Sequence, residues 1–302
     1  MTKIQPGLYA RLFPHGGLHF TRPLYALLLV LGLSPAHAAA PEAVSIPAAG
    51  WSSSPAPLHA FLFQPEGNGP HPAVVMLHGC SGAYANDGSL NARHRMWGEF
   101  LAAQGYVALM LDSFSSRGIK ELCTQKFSER SLKEADRRGD SYAALNYLRE
   151  RSDVIAQRIG LLGWSHGGGV TLDTISHPPR TGTGFSAAIS FYPGCSSRAK
   201  KPEAFHPYAP LLLLIGEADD WTPAAPCVAL TQAVAARGEA MQIVTYPGTY
   251  HDFDNPALRA KHVRKDVPNG VNPGQGTTTA PNPEASEDAK RRVSTFFAGH
   301  LK

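Results

Sequence analysis

The sequence of 302 residues lacks a long hydrophobic run, a region of one charge sign and a metal-binding cysteine pattern. Its apolar run at 24–33 has about ten residues, whereas a membrane-spanning helix needs about 20. Lys and Arg number 28 against 24 Asp and Glu, and they form no basic patch of the kind that binds nucleic acid. Because there is also no Cys-x-x-C pair or His-rich tract, the sequence predicts neither a metal site nor a nucleic-acid partner.

The amino-terminal region has the composition of an export signal. Lys3, Arg11 and Arg22 precede the apolar run, and a small-x-small sequence follows it at 36–38. We therefore predict a signal peptide over 1–38 and a periplasmic or secreted mature protein without a membrane span, with an uncleaved anchor as the alternative. Cleavage would lower the formal charge from +4 to +1, because it removes three basic residues and no acidic one.

Residues 39–302 alternate apolar runs with amphipathic segments. This pattern predicts a single α/β domain, in which a mostly parallel central sheet is covered by helices on both faces. Strands are predicted at 58–63, 73–77, 107–111, 159–162, 187–191, 211–215 and 242–246. Helices are predicted at 93–104, 132–151, 167–175 and 227–237.

The last part of the domain has two different compositions. Residues 267–283 are rich in Gly, Pro, Asn and Thr without periodicity, which predicts a long flexible loop. Residues 284–301 place Ala289, Val293, Phe296 and Phe297 on one side of a predicted C-terminal helix.

The most informative motif is Gly163-Trp164-Ser165-His166-Gly167, which matches the G-x-S-x-G nucleophile elbow. A buried-strand run precedes it and a helical segment follows, as the motif requires. Glycine is needed two residues before and after the serine, because side chains there would collide with neighbouring backbone. We therefore predict that Ser165 is a catalytic nucleophile rather than part of an ordinary glycine-rich turn.

A serine hydroxyl needs a base and an acid that orients the base, and on this type of fold they follow in the order Ser, acid, His. Asp219 and Asp220 lie just after the strand at 211–215, and His251 lies after the last strand. Carboxyl ends of parallel strands share one edge of the sheet. We predict the triad Ser165, Asp219 and His251, with Asp220 as a solvated turn residue or cap.

An oxyanion hole needs two N–H donors aimed at the developing negative charge. The backbone N–H of His166 directly follows the nucleophile. The second donor is predicted to be the N–H of Cys80, in the loop His78-Gly79-Cys80-Ser81-Gly82 after the strand at 73–77. Alone, this loop could equally be an ordinary glycine-rich turn.

These motifs together resemble the dienelactone hydrolase family of α/β-hydrolases, and the likeness covers nearly all of 39–302. The resemblance implies hydrolysis of small-molecule esters or lactones by Ser165, Asp219 and His251, without a cofactor. The founding members use a cysteine at the position of Ser165, so the expected activity is that of a general carboxylesterase. The matching segments are 78–82, 111–118, 163–168, 216–219 and 251–253.

Substrate contacts are harder to predict. Arg117 could bind a substrate carboxylate, or it could tie its own loop to an acidic residue. Four aromatic residues in or beside the site loops could line a substrate pocket or simply pack: Tyr84, Trp164, Trp221 and Tyr250.

Four cysteines allow three disulfide pairings, and export permits disulfides to form. In an α/β-hydrolase sheet the strands before Cys80 and Cys123 are neighbours, as are those before Cys195 and Cys227. We therefore predict the bridges Cys80–Cys123 and Cys195–Cys227. Four buried free thiols are the alternative.

Three classes of function remain to be compared. The first is an exported ester or lactone hydrolase. The second is a serine peptidase of the same fold, a class that usually adds a propeller or lid domain absent from this sequence. The third is a binding protein that has kept the fold, although such a protein would be expected to lose a member of the triad, and none is missing.

Overall fold

In the computed structural model, which describes residues 40–48, 50–180 and 182–302, buried apolar runs form a central sheet. The predicted signal peptide lies outside the described residues. The strands are β1 (Glu42–Ile46), β2 (Leu58–Phe63), β3 (His71–Leu77), β4 (Val107–Asp112), β5 (Val154–Trp164), β6 (Ala187–Phe191), β7 (Leu211–Gly216) and β8 (Met241–Tyr246). Their order is β1-β2-β4-β3-β5-β6-β7-β8, and only the β1–β2 and β2–β4 pairs are antiparallel.

Helices connect the parallel strands, and one more helix follows the last strand. They are α1 (Ala92–Ala103), α2 (Glu134–Arg149), α3 (His166–Ile175), α4 (Ser196–Ala199), α5 (Ala224–Ala235) and α6 (Pro283–Leu301). Short 3₁₀ turns occupy Ser115–Arg117, Phe127–Glu129 and Pro202–Ala204. The ends of α1, α2, α3 and α6 fall within two residues of the sequence-based bounds, and α5 begins three residues before its predicted start.

Two glycines of β5 show that helices cover both faces of the sheet. A side chain at Gly160 would lie 2.8 Å from Phe297 of α6, and one at Gly163 would lie 2.2 Å from the carbonyl oxygen of Gly167 in α3. Residues an odd number apart in a strand face opposite sides. The predicted α/β-hydrolase fold, with its mostly parallel sheet, is therefore confirmed.

The segment at 267–283 differs from the predicted flexible loop. It contains β10 (Thr277–Thr279), which pairs antiparallel with β9 (His262–Arg264). Thr277, Thr278 and Thr279 are buried, and the N–H of Ala280 donates to the carbonyl of His251 at 3.3 Å. This segment is thus packed against the loop that carries His251.

The topology gathers the candidate residues at one edge of the sheet. Ser165 directly follows β5, Asp219 follows β7 by three residues, and His251 lies in the loop after β8. The loop with Cys80 follows β3, which lies between β4 and β5. Because these strands are parallel, all four segments leave the sheet at their carboxyl ends.

Candidate active site

Ser165 sits in a sharp turn between β5 and α3. Its φ of 53° and ψ of −114° are unusual for a residue with a side chain. A side chain at Gly163 would meet the carbonyl oxygen of Gly167, and one at Gly167 would meet that of Leu77, each at 2.2 Å. Both glycines are therefore required sterically, in the manner that the motif predicts.

The structure brings Ser165, His251 and Asp219 into one hydrogen-bonded chain. Nε2 of His251 lies 3.0 Å from the Ser165 hydroxyl, and its Nδ1 lies 2.7 Å from Oδ2 of Asp219. All three side chains are buried. The arrangement has an imidazole between a hydroxyl and a carboxylate, which is the geometry that general-base activation of a serine needs.

Asp219 is held in place by backbone donors. The N–H groups of Trp221 and Thr222 donate to its Oδ1 at 2.9 and 2.8 Å. The Thr222 hydroxyl lies 3.1 Å from both Asp219 Oδ2 and His251 Nδ1. The carboxylate oxygen that faces His251 is therefore fixed in direction.

Burial lowers the pKa of His251, but the charge and hydrogen bond of Asp219 outweigh it, so the pKa lies above its ordinary value. Two aromatic rings also contact the imidazole. The ring centroids of Tyr192 and Trp221 lie 4.5 and 4.7 Å from that of His251. Positive charge on this imidazole is thus stabilised mainly by one carboxylate.

Asp220 differs from its predicted role as a solvated turn residue or cap. Its two carboxylate oxygens accept hydrogen bonds from the backbone N–H and the hydroxyl of Thr278, both at 2.7 Å. The side chain therefore ties the β7–α5 loop to β10. It takes no part in the chain that leads to Ser165.

The two predicted oxyanion donors flank the nucleophile. A side chain at Gly79 would lie 3.5 Å from Cβ of Ser165, so the loop with Cys80 packs directly on the elbow. Within the described part of the chain, the N–H groups of Cys80 and His166 have no acceptor. Both groups are free to donate to a ligand.

Arg137, which the sequence analysis did not single out, joins these two loops. It is fully buried in α2, and its guanidinium donates to the carbonyl of His78 at 2.9 Å and to Nδ1 of His166 at 3.2 Å. Burial is the main reason that the pKa of His166 lies well below its ordinary value, and the positive charge of Arg137 lowers it further. The His166 imidazole is therefore neutral. A charged residue in line with the buried Ala144 and Leu148, seven and eleven positions on, was the only signal in the sequence.

A cavity of about 530 Å³ opens beside the site. His166, Trp221 and Thr222 form its wall nearest to Ser165 and His251. Its remaining lining residues are Phe127, Arg130, Lys133, Glu134, Ala135, Asp173, Gly194, Ser196, Ser197 and Pro223. Ser165 and His251 are not part of this lining, so the cavity borders the site through the residues that adjoin them, His166 and Thr222.

Of the five predicted substrate contacts, only Trp221 lines this cavity. Trp164 is fully buried and donates its indole N–H to Asp254 at 2.9 Å. The guanidinium of Arg117 makes a bidentate pair with Asp140 at 2.8 and 2.9 Å, so it ties its loop to an acid.

The remaining two aromatic candidates lie elsewhere. Tyr84 is half-buried, with its ring centroid 5.7 Å from that of Phe61. Tyr250 is also half-buried, and its hydroxyl accepts a hydrogen bond from Lys261 at 2.7 Å. Both are therefore engaged by neighbours outside the cavity.

The structure contains the two favoured disulfides, Cys80–Cys123 and Cys195–Cys227. The first adjoins the hydrogen bond from Leu122 N–H to Cys80 carbonyl, at 2.8 Å.

Among residues 40–48, 50–180 and 182–302, no three His, Cys, Asp or Glu side chains could together hold a metal ion. None of the described helices combines the length and apolar character needed to cross a bilayer.

Comparison with known proteins identifies the family. A Bradyrhizobium protein assigned as a 2-oxo-3-(5-oxofuran-2-ylidene)propanoate lactonase is 26% identical over 203 residues, which cover 64% of this chain and 78% of that protein. The structure of dienelactone hydrolase from Anabaena variabilis superposes with a TM-score of 0.60 at 19% identity, covering 88% of this chain and 100% of the other. Esterase 2 of Thermogutta terrifontis also gives a TM-score of 0.60 at 19% identity, over 88% of this chain and 96% of the other.

The family model of the dienelactone hydrolase family matches residues 58–301. This range begins with β2 and ends with the last residue of α6, and it contains Ser165, Asp219 and His251. The chain therefore belongs to the dienelactone hydrolase family and is a carboxylesterase- or lactonase-type hydrolase.

Proposed function

We propose that this protein is an exported serine hydrolase that cleaves carboxylic esters or lactones through an acyl-enzyme. The observation that carries the proposal is the hydrogen-bonded chain from Asp219 through His251 to Ser165, at 2.7 and 3.0 Å. An imidazole in this position can accept the serine proton, and the carboxylate can orient it and stabilise its charge.

The geometry supports a reaction in two steps. His251 accepts the proton of Ser165 as the hydroxyl attacks the substrate carbonyl, and the N–H groups of Cys80 and His166 stabilise the oxyanion. His251 then gives the proton to the leaving alcohol, and the acyl-enzyme remains. Water then attacks the acyl carbon as His251 accepts one of its protons. The bond from that carbon to the Ser165 oxygen breaks, His251 returns the proton to this oxygen, and the acid is released.

The cavity beside the site supports substrates that carry a carboxylate. Arg130 lines it with 8% exposure, and Nε is the only part of its guanidinium with an acceptor among the described residues, the carbonyl of Leu122 at 3.2 Å. Lys133 adds a second positive charge to the lining. The two carboxylates of the lining are each paired with another arginine, Glu134 with Arg198 and Asp173 with Arg138, both at 2.7 Å. A propanoate-bearing lactone, such as the compound in the name of the Bradyrhizobium relative, has a carboxylate that Arg130 could bind.

Labelling tests the nucleophile and kinetics test the substrate class. Mature protein is treated with a fluorophosphonate, and the adduct is mapped by mass spectrometry; we expect it on Ser165 and no ester hydrolysis by Ser165→Ala. An adduct elsewhere, or none with an active preparation, would overturn the assignment. A panel of esters, lactones and peptide amides separates the esterase from a peptidase of the same fold, and the absence of all turnover would favour a binding protein.

Export is part of the proposal, because the amino-terminal sequence has the features of a cleaved signal and both disulfides need an oxidising compartment. Amino-terminal sequencing of protein recovered from the periplasm or medium should begin near Ala39. Full-length protein retained in the cytoplasm would contradict the proposed export.

A further inference from the structure

A buried cluster of charges lies next to His251 but outside the chain that leads to Ser165. Arg93 of α1 is 2% exposed, and its guanidinium donates to the Tyr192 hydroxyl at 3.0 Å and to the carboxylate of Asp252. The Tyr192 hydroxyl in turn donates to Asp254 at 2.5 Å. We call these four residues the Arg93 cluster.

The Arg93 cluster lies beside two residues of the proposed triad, His251 and Ser165. Asp252 directly follows His251, and the Tyr192 ring contacts the imidazole. Trp164, which precedes Ser165, donates its indole N–H to Asp254 and lies under the guanidinium of Arg93, 5.6 Å from the ring centroid. A substitution of Arg93 would therefore alter the contacts of residues next to Ser165 and of residues next to His251.

Two residues of the Arg93 cluster have unusual backbone conformations. Tyr192 and Asp252 have φ values of 38° and 63°, and apart from Ser165 they are the described non-glycine residues with positive φ. Such conformations persist only where surrounding contacts hold them. Arg93 donates to the side chains of both residues. The backbone of Tyr192 is also held by its N–H bond to the carbonyl of Leu214 at 2.8 Å and by the hydroxyl of Thr222 at 3.0 Å.

We propose that Arg93 is a positioning residue that holds Asp252 and Tyr192, and through them keeps the His251 imidazole between Asp219 and Ser165. This proposal rests on the proposed function, because it requires His251 to be the base. The charged or titratable groups around the imidazole are Asp219 after β7, Tyr192 after β6, Arg93 on α1 and Asp252 on its own loop. Asp252 favours the protonated imidazole and Arg93 disfavours it, so intact pairing of the two leaves Asp219 dominant.

The test is a charge cycle read by the pH dependence of kcat/KM and by NMR titration of His251. Arg93→Gln leaves Asp252 unpaired, so we expect the pKa of His251 to rise by about one unit, whereas Asp252→Asn should lower it by a similar amount. The double variant should return it towards the wild-type value. Asn is chosen because it tolerates the left-handed conformation at 252.

Positioning also predicts a split between kinetic constants. In Arg93→Gln, kcat should fall on the order of 10- to 100-fold with little change in KM, since the substrate cavity does not include Arg93. Arg93→Lys should recover part of the pKa and of kcat. The matched control is Arg117→Gln, which breaks another buried Arg–Asp pair and should lower Tm without moving the pKa.

The outcomes separate this inference from the proposed function. A wild type without Ser165-dependent hydrolysis would overturn both. An active wild type in which neither single variant moves the pKa of His251, and only Tm falls, would overturn the positioning role alone. If Arg93→Gln does not fold, Asp252→Asn still decides, because its side chain is 24% exposed.

Discussion

Asp219 and Asp220 are adjacent carboxylates with different partners, His251 for the first and Thr278 for the second. We expect Asp219→Asn to lower kcat on the order of 10⁴-fold, because the imidazole loses the acceptor that fixes its tautomer. Asp220→Asn should lower Tm and leave kcat within a few-fold. Steady-state kinetics and thermal unfolding of both variants test this, and a larger kcat loss for Asp220→Asn would reverse the assignment.

The raised pKa of His251 predicts a pH profile. Only the neutral imidazole can accept the serine proton, so kcat/KM should rise with pH through an ionisation above the ordinary value of 6.5. Asp219→Asn should move that ionisation to lower pH, because it removes the main group that raises the pKa. The Ser165→Ala variant gives the background rate, and a limb at or below 6.5 in the wild type would contradict the prediction.

The same pKa shift has the opposite sign for stability. Protonated His251 binds Asp219 in the folded state, so its contribution is fully present below the unfolded-state pKa of about 6.5. That contribution is lost as pH rises through the folded-state pKa, which is where activity is gained. Activity is therefore highest above the folded-state pKa of His251, whereas this contribution to stability is largest below it.

Arg130 gives a prediction about substrate charge. Arg130→Gln should lower kcat/KM for a half-ester of a dicarboxylic acid about 10- to 100-fold, because a hydrogen bond to a charged group contributes roughly 1.5 to 3 kcal/mol. The corresponding uncharged diester should be little affected. Lys133→Gln, which removes a charge from an exposed position of the same cavity, is the matched control and should have a smaller effect. Equal losses for both esters would show that Arg130 acts on the fold instead.

Sequence reasoning at this scale is most informative where a residue type is tied to a position in the topology. Ser165, Asp219 and His251 each follow a strand that an apolar run predicts, and the structure brings them together. Trp164 could not be assigned in this way, because it is the last residue of β5 and its ring lies within the core. Arg93 was also missed, since nothing in the sequence shows that a charged residue of α1 is buried against Asp252.

At the scale of elements, apolar runs located β2 to β8, of which β3, β4, β6 and β7 are buried along almost their whole length. β1 was missed because most of its side chains are exposed and it has no such run. β10 was missed for a different reason, since three threonines in a region rich in glycine and proline carry no pattern. Its burial depends on long-range partners, namely Asp220 and the loop of His251.

Thr278 tests whether β10 stabilises that loop. Thr278→Val removes the hydroxyl that donates to Oδ2 of Asp220, while the backbone N–H at 278 still donates to Oδ1. The loss of the donor to Oδ2 should lower the free energy of unfolding by about 1 to 3 kcal/mol. Hydrogen exchange should increase at 249–255, because β10 pairs with His251. Urea unfolding measures the first effect. Thr245→Val is the control, since its hydroxyl binds Glu217 at an exposed position and should change stability by less than about 0.5 kcal/mol.

At the scale of the whole molecule, the two disulfides lie in different apolar clusters. Cys195–Cys227 belongs to the main core. Cys80–Cys123 belongs to a separate apolar cluster with Phe114, Leu122, Leu132, Trp221 and Val267. This second cluster therefore connects the loop of the proposed oxyanion donor to Trp221, which contacts His251. The neighbouring strands made both pairings predictable, but the separate cluster could not be predicted from sequence spacing.

Removing each disulfide should therefore have the same kind of effect on stability and different effects on activity. The bridges span 43 and 32 residues, and replacing either pair by alanine should lower the free energy of unfolding by roughly 2 to 4 kcal/mol. Only the Cys80→Ala/Cys123→Ala variant should also lose kcat, on the order of tenfold or more, because its loop carries an oxyanion donor whose complete loss costs about 10²- to 10³-fold. Non-reducing peptide mapping first establishes the pairing in the wild type, and kinetics are then measured at a temperature where both variants remain folded. Equal kcat losses in the two variants, or none in either, would show that the Cys80–Cys123 bridge does not hold the oxyanion loop in place.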